Sequence, residues 1–334
     1  KNKQGRSNLR QVSYALFCSA DGHIPLYYDV YEGNRNDAKE FPEILERFHK
    51  FLNEMCNGSR SERKTTVIFD KGNNSKANFS LIDSLKIGFV GSVKLDEHKD
   101  LAQISNKDNR FQSYPSGKLD GTKGFRVKKE VYGKQRTLVV TYNQNLYDAQ
   151  WLTVQNDIAN AMDKLASLRR RLEDRAAGII KKGKCPSKVS VETQCKSILK
   201  RQHMKRLIKT EVSENSDGIP RLSYDMDGKA LQELSETCLG KNILITNRDE
   251  WDDASIICAY RSQYMIEAVF KEMKDRCTGS WWPLHHWTDS KIRIHALYCT
   301  LSLLLRALAL RKLREAGLSL CMSRFLSELD GVRE

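Results

Sequence analysis

The sequence has little of what would place it among disulfide-rich, zinc-bound or membrane-embedded proteins. Its 9 cysteines are scattered, with no C-x-x-C pair among them, and their odd number and loose spacing argue against a disulfide framework and a structural zinc site. The longest apolar stretch, Ala296 to Leu305, ends at Arg306, whereas a bilayer-spanning helix needs about 20 such residues. We therefore expect free thiols in a reducing cytosol, a core helix at Ala296, and no membrane partner.

Charge is the strongest signal in the composition. The 334 residues include 56 Lys and Arg against 42 Asp and Glu, a net charge of +14, and 40% are hydrophobic, which is enough for a buried core. Residues 151–210 hold 15 basic and 5 acidic residues, so 10 of the 14 net charges lie there. A strongly basic folded protein is expected to bind a polyanion, with nucleic acid as the first candidate and an anionic membrane surface as the second.

The first 95 residues predict a mixed sheet with helices on its faces. The strand candidates are rich in β-branched and aromatic residues, and Asp21-Gly22 is a hairpin signal between the first two. The helix candidates carry apolar residues at helical spacing. In order, the predicted elements are strands at 11–17 and 23–31, a helix at 38–55, a strand at 65–70, a helix at 75–85 and a strand at 87–93.

The pattern changes after residue 95, and we predict that residues 96–246 form an inserted basic α+β module outside this sheet. Its predicted elements are strands at 125–132 and 135–142, helices at 148–176 and 191–207, and strands at 208–212, 220–224 and 242–246. Residues 247–334 return to the first domain as helices. Those helices are predicted at 251–275, 289–316 and 319–329.

One predicted helix near the C-terminus presents an acidic residue among groups suited to DNA. On a continuous helix at 100° per residue, Tyr260 and Lys274 lie within about 20° of Glu267, and Gln263 and Lys271 within about 60°. A carboxylate can hold a divalent metal ion, while cations and a phenol can hold phosphates. A merely solvated polar face is the alternative interpretation.

Asp70 is the second acidic candidate. It ends the short apolar run Thr65–Phe69 and precedes Lys71-Gly72. A carboxylate at the C-terminal end of a buried strand faces the crevice in which α/β sheets bind ligands. Ordinary turn formation by an Asp before Lys-Gly is the alternative interpretation.

Four motifs in a fixed order resemble the bacterial insertion-sequence DDE transposases. Tyr260-x2-Gln263-x3-Glu267-x6-Lys274 resembles the Y-x2-R-x3-E-x6-K signature of that family, although the signature Arg is Gln263 here. The other three motifs are Gly33-Asn34-Arg35-Asn36-Asp37, Asp70-Lys71-Gly72, and the segment from Trp282-Pro283 to His295. The resemblance covers nearly the whole chain.

The resemblance implies a ribonuclease-H-like α/β fold, in which a mixed sheet with flanking helices is interrupted by the inserted module and followed by a helical tail. It implies two Mg²⁺ or Mn²⁺ ions held by carboxylates, with Asp70 and Glu267 as catalytic residues and metal ligands. Residues near Glu267 would hold the DNA strand. They are Tyr260, Arg261, Gln263, Lys271 and Lys274.

The implied reaction is cleavage at the ends of a mobile element and joining of the freed 3′ ends to target DNA. The expected partners are double-stranded DNA, as terminal inverted repeats and as target, and a second copy of the chain in a homodimeric synaptic complex. The expected location is the bacterial cytoplasm, at the nucleoid. In the inserted module, DNA contact is expected at Lys181, Lys182, Lys200 and Arg201, with a solvated charged helix as the alternative.

One part of the family's pattern has no counterpart among the predicted elements. The family's first aspartate lies on a strand before Gln11, and neither Asp21 nor Asp29 matches its position. We therefore expect residues 1–95 to form the first part of the catalytic domain without its first strand. A catalytically incomplete DNA-binding and dimerising remnant is the alternative function, and a nuclease that cuts without joining strands is a third.

Aromatic and His residues cluster before the helix predicted at 289–316. Trp281, Trp282 and Trp287 fit packing against the C-terminal helices, and also stacking on an unpaired base. His285-His286 is not a metal-ligand spacing.

Overall fold

The computed structural model describes residues 11–35, 37–55, 65–114, 117, 119–215, 218–275, 281 and 284–332. Asn36, Trp282 and Pro283 of the sequence motifs lie outside the described residues. The chain divides into two compact units. The first comprises Lys1–Val93, Lys128–Leu138 and Leu244–Glu334, and the second comprises Lys94–Val127 and Val139–Ile243.

The elements follow the predicted order closely, and short 3₁₀ turns connect some of them. The strands are β1 (Val12–Cys18), β2 (Pro25–Glu32), β3 (Thr66–Ile68), β4 (Gly88–Val93), β5 (Gln112–Ser113), β6 (Thr122–Val131), β7 (Lys134–Asn143), β8 (Ile208–Glu214), β9 (Pro220–Met226) and β10 (Lys241–Thr246). The helices are α1 (Asp37–Met55), α2 (Lys76–Ser84), α3 (Lys99–Ala102), α4 (Gln144–Ala176), α5 (Lys188–Ile198), α6 (Met204–Leu207), α7 (Gly228–Glu233), α8 (Asp253–Arg261), α9 (Tyr264–Lys274), α10 (Asp289–Glu315) and α11 (Met322–Asp330).

The first two strands form the predicted hairpin. β1 and β2 pair antiparallel, with Val12 opposite Glu32. The turn between them contains Gly22 at φ +74° and His23 at φ +55°, and such left-handed values explain why the turn carries a glycine. Asp21-Gly22 therefore marks the hairpin turn, as predicted.

Six strands form a mixed sheet in the order β3-β4-β10-β7-β6-β5. β3 and β4 are parallel, whereas β5 and β6 are antiparallel. With its flanking and C-terminal helices, this sheet confirms the predicted α/β, ribonuclease-H-like fold. The prediction that the first four strands share one sheet is wrong, because β1 and β2 form a separate two-stranded sheet.

The strands predicted to lie in the inserted module divide between two sheets. β6, β7 and β10 belong to the sheet that contains the Val67 strand, so the prediction that all strands of residues 96–246 lie outside it is wrong. The physical reason is burial on both strand faces. Leu138, Val139 and Val140 of β7 are all fully buried, which is the pattern of a central strand rather than of a peripheral module. β8 and β9, which lie where two strands were predicted, form a separate antiparallel pair outside that sheet.

The second unit has a helical core of its own. Asn143 caps α4 by accepting from the Leu146 N–H at 2.9 Å, and the helix buries a stripe at helical spacing. The stripe consists of Val154, Ala161, Leu165, Leu168 and Leu172, and it packs with Val191 and Cys195 of α5. The helix predicted at 191–207 is two helices, α5 and α6, because His203 between them adopts φ +68°, which interrupts a right-handed helix.

The C-terminal helices of the first unit also differ from prediction at one point. The helix predicted at 251–275 is divided into α8 and α9 at Ser262-Gln263. The N–H groups of Gln263, Met265 and Ile266 each donate to the carbonyl three residues earlier, which marks a tight 3₁₀ turn. Tyr260 and Glu267 therefore lie on two successive helices rather than on one continuous helix.

α10 is the long apolar helix that the sequence predicts. Its length and composition meet those of a membrane span, but core helices of folded domains meet them as well. Ala296, Cys299 and Leu303 pack in a buried cluster with Val269 and Met273 of α9. This packing is what the sequence predicts for a core helix.

Candidate active site

Asp70 lies immediately beyond the edge of the buried sheet. Val67 and Phe69 are buried, whereas Asp70 is exposed. Its Oδ1 accepts from the Lys71 N–H at 2.7 Å and so caps the 3₁₀ turn that follows. β-branched residues favour the strand, and the Asp favours the turn. Asp70 therefore both follows a buried strand and begins a turn, the two local features expected from the sequence.

Two asparagines hold the turn after Asp70 against its neighbours. The Asn74 Nδ2 donates to the Ser92 carbonyl of β4 at 2.7 Å. The Asn78 Nδ2 donates to the Asn73 carbonyl, also at 2.7 Å. Bonds from partly buried amides to backbone carbonyls are costly to leave unmade, so they fix the turn that carries the Asp70 carboxylate.

Tyr260 reaches this site from α8. Its half-buried hydroxyl donates to the Ser92 Oγ at 2.8 Å. Burial raises the pKa of the Tyr260 phenol, the Ser92 hydrogen bond lowers it, and the negative charge of Asp70 raises it. The net effect is a raised pKa, so the phenol is protonated at neutral pH.

Ser92 is a site residue that the sequence interpretation missed. It is 4% exposed, in a strand whose residues are all buried. The sequence offered one signal for it. Ser92 is a polar residue within the apolar segment Ile87–Val93, and a buried polar group requires a hydrogen-bond partner.

Glu267 lies on α9 and is exposed. The opposite face of the helix is fixed by Val269 and Met273, which are buried in the C-terminal cluster. Gln263, one turn before Glu267, and Phe270, one turn after it, line a groove of about 440 Å³. Asp70 lines the same groove. α9 and the end of β3 therefore share one concave surface, with Glu267 next to the stripe of α9 that lines it.

The groove has two strands among its walls. One wall contains β1 residues from Ala15 to Cys18, and the other contains Thr65 to Asp70. Phe48 of α1 also lines it and stacks on Phe17 with ring centroids 4.1 Å apart. The groove is thus apolar along most of its length, and its acidic group lies at the Asp70 end.

Asp29 and Asp21, the two acids that did not match the family position, have other contacts. Asp29 is 8% exposed, and its Oδ2 lies 2.9 Å from the Arg47 guanidinium of α1. Asp21 lies 3.8 Å from Arg311 at the surface. The described residues contain no group of three or more His, Cys, Asp or Glu side chains able to hold a metal ion.

The family model of the transposase DDE domain matches residues 1–304. The chain belongs to the transposase DDE domain family. This match confirms that the chain is a DDE transposase domain, as the resemblance implied, and membership makes DNA the expected partner of the chain. The comparison with curated proteins gives no match.

Two of the three cations predicted near Glu267 are exposed. Lys271 and Lys274 are exposed on α9, and the Lys274 Nζ lies 6.0 Å from the centre of the Phe270 ring. Arg261 is partly buried at the end of α8. Exposed cations of this kind can contact phosphates with little loss of hydration.

The basic residues of the second unit are also exposed. Lys181 and Lys182 lie in the loop after α4, and the carbonyl of Lys182 accepts from the Arg175 guanidinium at 2.9 Å. Lys200 is exposed after α5, and the neighbouring Arg201 lies 3.8 Å from Asp157. Arg175 therefore anchors the basic loop of the transposase, a contact that the sequence interpretation missed.

The tryptophans near α10 have different environments. Trp281 is 8% exposed and packs against Tyr14, with ring centroids 5.1 Å apart, and against His295 at 5.6 Å. Trp287 is 91% exposed. Packing is the role the structure supports for Trp281, while base stacking by Trp287 stays a prediction.

Proposed function

We propose that the chain is a DNA transposase that cuts at the ends of a mobile element and joins the freed 3′ ends to target DNA. The observation that carries this proposal is the groove shared by Asp70 and α9, with Tyr260 joined through Ser92 to the turn after Asp70. An acid at a strand end, a second acid on a neighbouring helix and exposed cations around them suit phosphodiester chemistry.

Members of this family typically use divalent metal ions, and Mg²⁺ or Mn²⁺ is the proposed cofactor. Asp70 and Glu267 are the proposed ligands, because hard cations prefer carboxylate oxygens. The described residues do not by themselves fit a pair of ions, since no group of three potential ligands occurs among them. Two ions bring four positive charges, which two carboxylates only half offset.

The remaining residues of the site would position DNA. Lys271 and Lys274, one and two turns after Glu267, can neutralise adjacent phosphates of one strand. Tyr260, held by its hydrogen bond to Ser92, is proposed to contact the same DNA strand. Arg261 and Gln263 are proposed as further contacts to the strand.

The second unit is proposed to hold DNA outside the cleavage site. Lys181, Lys182, Lys200 and Arg201 are exposed, and phosphate neutralisation by such residues gives affinity without sequence information. Terminal inverted repeats, a homodimeric synaptic complex and association with the nucleoid belong to the same proposal.

A DNA-binding and dimerising protein without cleavage activity is the second candidate. The observation that favours it is the lack of a three-ligand group among the described residues. This candidate predicts retained affinity for DNA and no metal-dependent cleavage.

The test is a cleavage assay in Mn²⁺ with a labelled duplex that carries the element's ends. We expect Asp70→Asn and Glu267→Gln each to reduce cleavage roughly 100-fold or more, since even changes behind a metal ligand cost about 10- to 100-fold. Glu54→Gln, which removes an exposed carboxylate from α1, is the matched control. Joined products on a target plasmid separate a transposase from a simple nuclease. Tight DNA binding without cleavage would select the second candidate.

A further inference from the structure

Ser92 uses both of its polar groups to join separate parts of the site. Its Oγ accepts from the Tyr260 hydroxyl of α8 at 2.8 Å, and its carbonyl accepts from the Asn74 Nδ2 at 2.7 Å. The residue itself is 4% exposed on β4. One buried residue therefore contacts both the helix before Glu267 and the turn after Asp70.

The bond to Asn74 continues through the turn to the carboxylate. The Asn74 N–H donates to the Lys71 carbonyl at 3.2 Å, and the Asn73 N–H donates to the Asp70 carbonyl at 3.0 Å. The Lys71 N–H donates to the Asp70 Oδ1 at 2.7 Å. A connected set of bonds limits the orientations of a side chain more than its separate members do, so the anchored turn sets the direction of the Asp70 carboxylate.

On its other side, Ser92 sets the direction of the phenol. A phenol has one proton, and in Tyr260 this proton is directed at the Ser92 Oγ. Because the Ser92 carbonyl is bonded to Asn74, the oriented hydroxyl is joined through Ser92 to the turn that carries Asp70. Without the Ser92 hydroxyl, rotation of the Tyr260 side chain would no longer be limited by a buried partner.

We propose that Ser92 is a positioning residue, which holds the Tyr260 phenol and the Asp70 turn in a fixed relation. It acts through its hydroxyl on Tyr260 and through its carbonyl on Asn74, so Ser92→Ala removes only the first of these links. The positioning is a property of the protein alone. Its consequence, that both groups meet the same DNA strand, rests on the proposed function.

The first test follows Tyr260 directly by fluorine NMR of protein containing 3-fluorotyrosine. The chain has 12 tyrosines, and the Tyr260 resonance is assigned by its loss in Tyr260→Phe. We expect Ser92→Ala to shift and broaden this resonance, and Ser92→Thr, which keeps a hydroxyl, to leave it near its original position. Thr246→Val is the matched control, because Thr246 also has a buried hydroxyl, donating to the Phe89 carbonyl of β4 at 2.6 Å.

A Tyr260 resonance that moves equally in Ser92→Ala and Thr246→Val would overturn the proposal, since it would reduce Ser92 to a packing residue. An unmoved resonance in Ser92→Ala would overturn it as well. Melting temperatures of all variants identify any that fail to fold. If Ser92→Ala is one of them, Ser92→Thr and Ser92→Cys provide the comparison between variants with and without a hydroxyl.

The second test is a double-mutant cycle on the affinity for a fluorescent duplex carrying the element's ends. If a misdirected Tyr260 loses one hydrogen bond of ordinary strength to the DNA, Ser92→Ala should bind the duplex about fivefold more weakly. If Ser92 acts through Tyr260, the change has no further effect in a Tyr260→Phe background. Fully additive losses would contradict the coupling. A wild-type chain that does not bind the duplex while its Tyr260 resonance responds to Ser92→Ala would contradict the proposed function and leave the positioning intact.

Discussion

Replacing Lys181, Lys182, Lys200 and Arg201 with glutamine removes four exposed positive charges from the second unit. Each phosphate that a protein neutralises on duplex DNA contributes about −0.9 to the slope of log affinity against log salt. Arg201 already lies 3.8 Å from the Asp157 carboxylate, so its contribution is expected to be the smallest. The slope should therefore flatten by about 3, between the values of about 2.7 for three contacts and about 3.6 for four.

This change in slope is large enough to measure. Between 50 and 200 mM salt, the wild type should lose roughly 40- to 150-fold more affinity than the fourfold variant. Fluorescence anisotropy with a duplex of arbitrary sequence is sufficient, because the effect does not depend on sequence. A control variant with glutamine in place of four exposed cations of the first unit has the same net charge. Its positions are Lys50, Lys86, Lys312 and Arg324.

The comparison between the two variants decides the interpretation. An unchanged slope in the second-unit variant would show that the replaced cations are solvated and do not contact DNA phosphates. Equal flattening in both variants would show that net charge, and not a local DNA contact, governs the affinity.

Two further predictions concern the stability of the first unit. A Cβ at Gly88 would lie 2.1 Å from the Arg248 Nε, and Arg248 is 6% exposed, so Gly88→Ala should lower the free energy of unfolding by about 1–3 kcal/mol; Gly72→Ala, with nothing within 4 Å, is the control in urea denaturation. Burial raises the pKa of the Asp83 carboxyl, but hydrogen bonds and charge from Arg136 and Lys134 outweigh it, so the pKa is lowered. Its stabilising effect is therefore complete above the unfolded-state pKa of about 4 and is lost as the pH falls below it. Asp83→Asn should remove this part of the pH dependence of melting, and an identical acid limb in both proteins would contradict the assignment.

Local signals in the sequence predicted most elements correctly. Asp21-Gly22 marked the first hairpin, and the apolar β-branched residues up to Phe69 marked the strand before Asp70. In each case the physical cause lies within a few residues of its effect. The candidate acids Asp70 and Glu267 were found for the same reason. Asp70 ends an apolar strand, and Glu267 lies on the polar face of a helix.

The errors arose where distant contacts decide the structure. The six-stranded sheet takes β10 as the neighbour of β4, and no property of residues 87–93 identifies that partner. The left-handed His203 and the tight turn at Ser262-Gln263 lack the Gly or Pro that usually announces a break. Ser92 was visible as a polar residue in an apolar strand, but its partners Tyr260 and Asn74 are defined only by the fold.

The adjacency of β4 and β10 also determines when this sheet can form during synthesis. β4 ends at Val93 and β10 begins at Lys241, so a ribosome adding about 5–20 residues per second needs roughly 7–30 s to make the chain between them. Until then, Phe89 and Val90, which are fully buried in the finished protein, lack the strand that covers this edge of β4. Closing so long a loop is slow, and the nascent chain is therefore most exposed to aggregation and to chaperones in the interval before residue 246 leaves the ribosome.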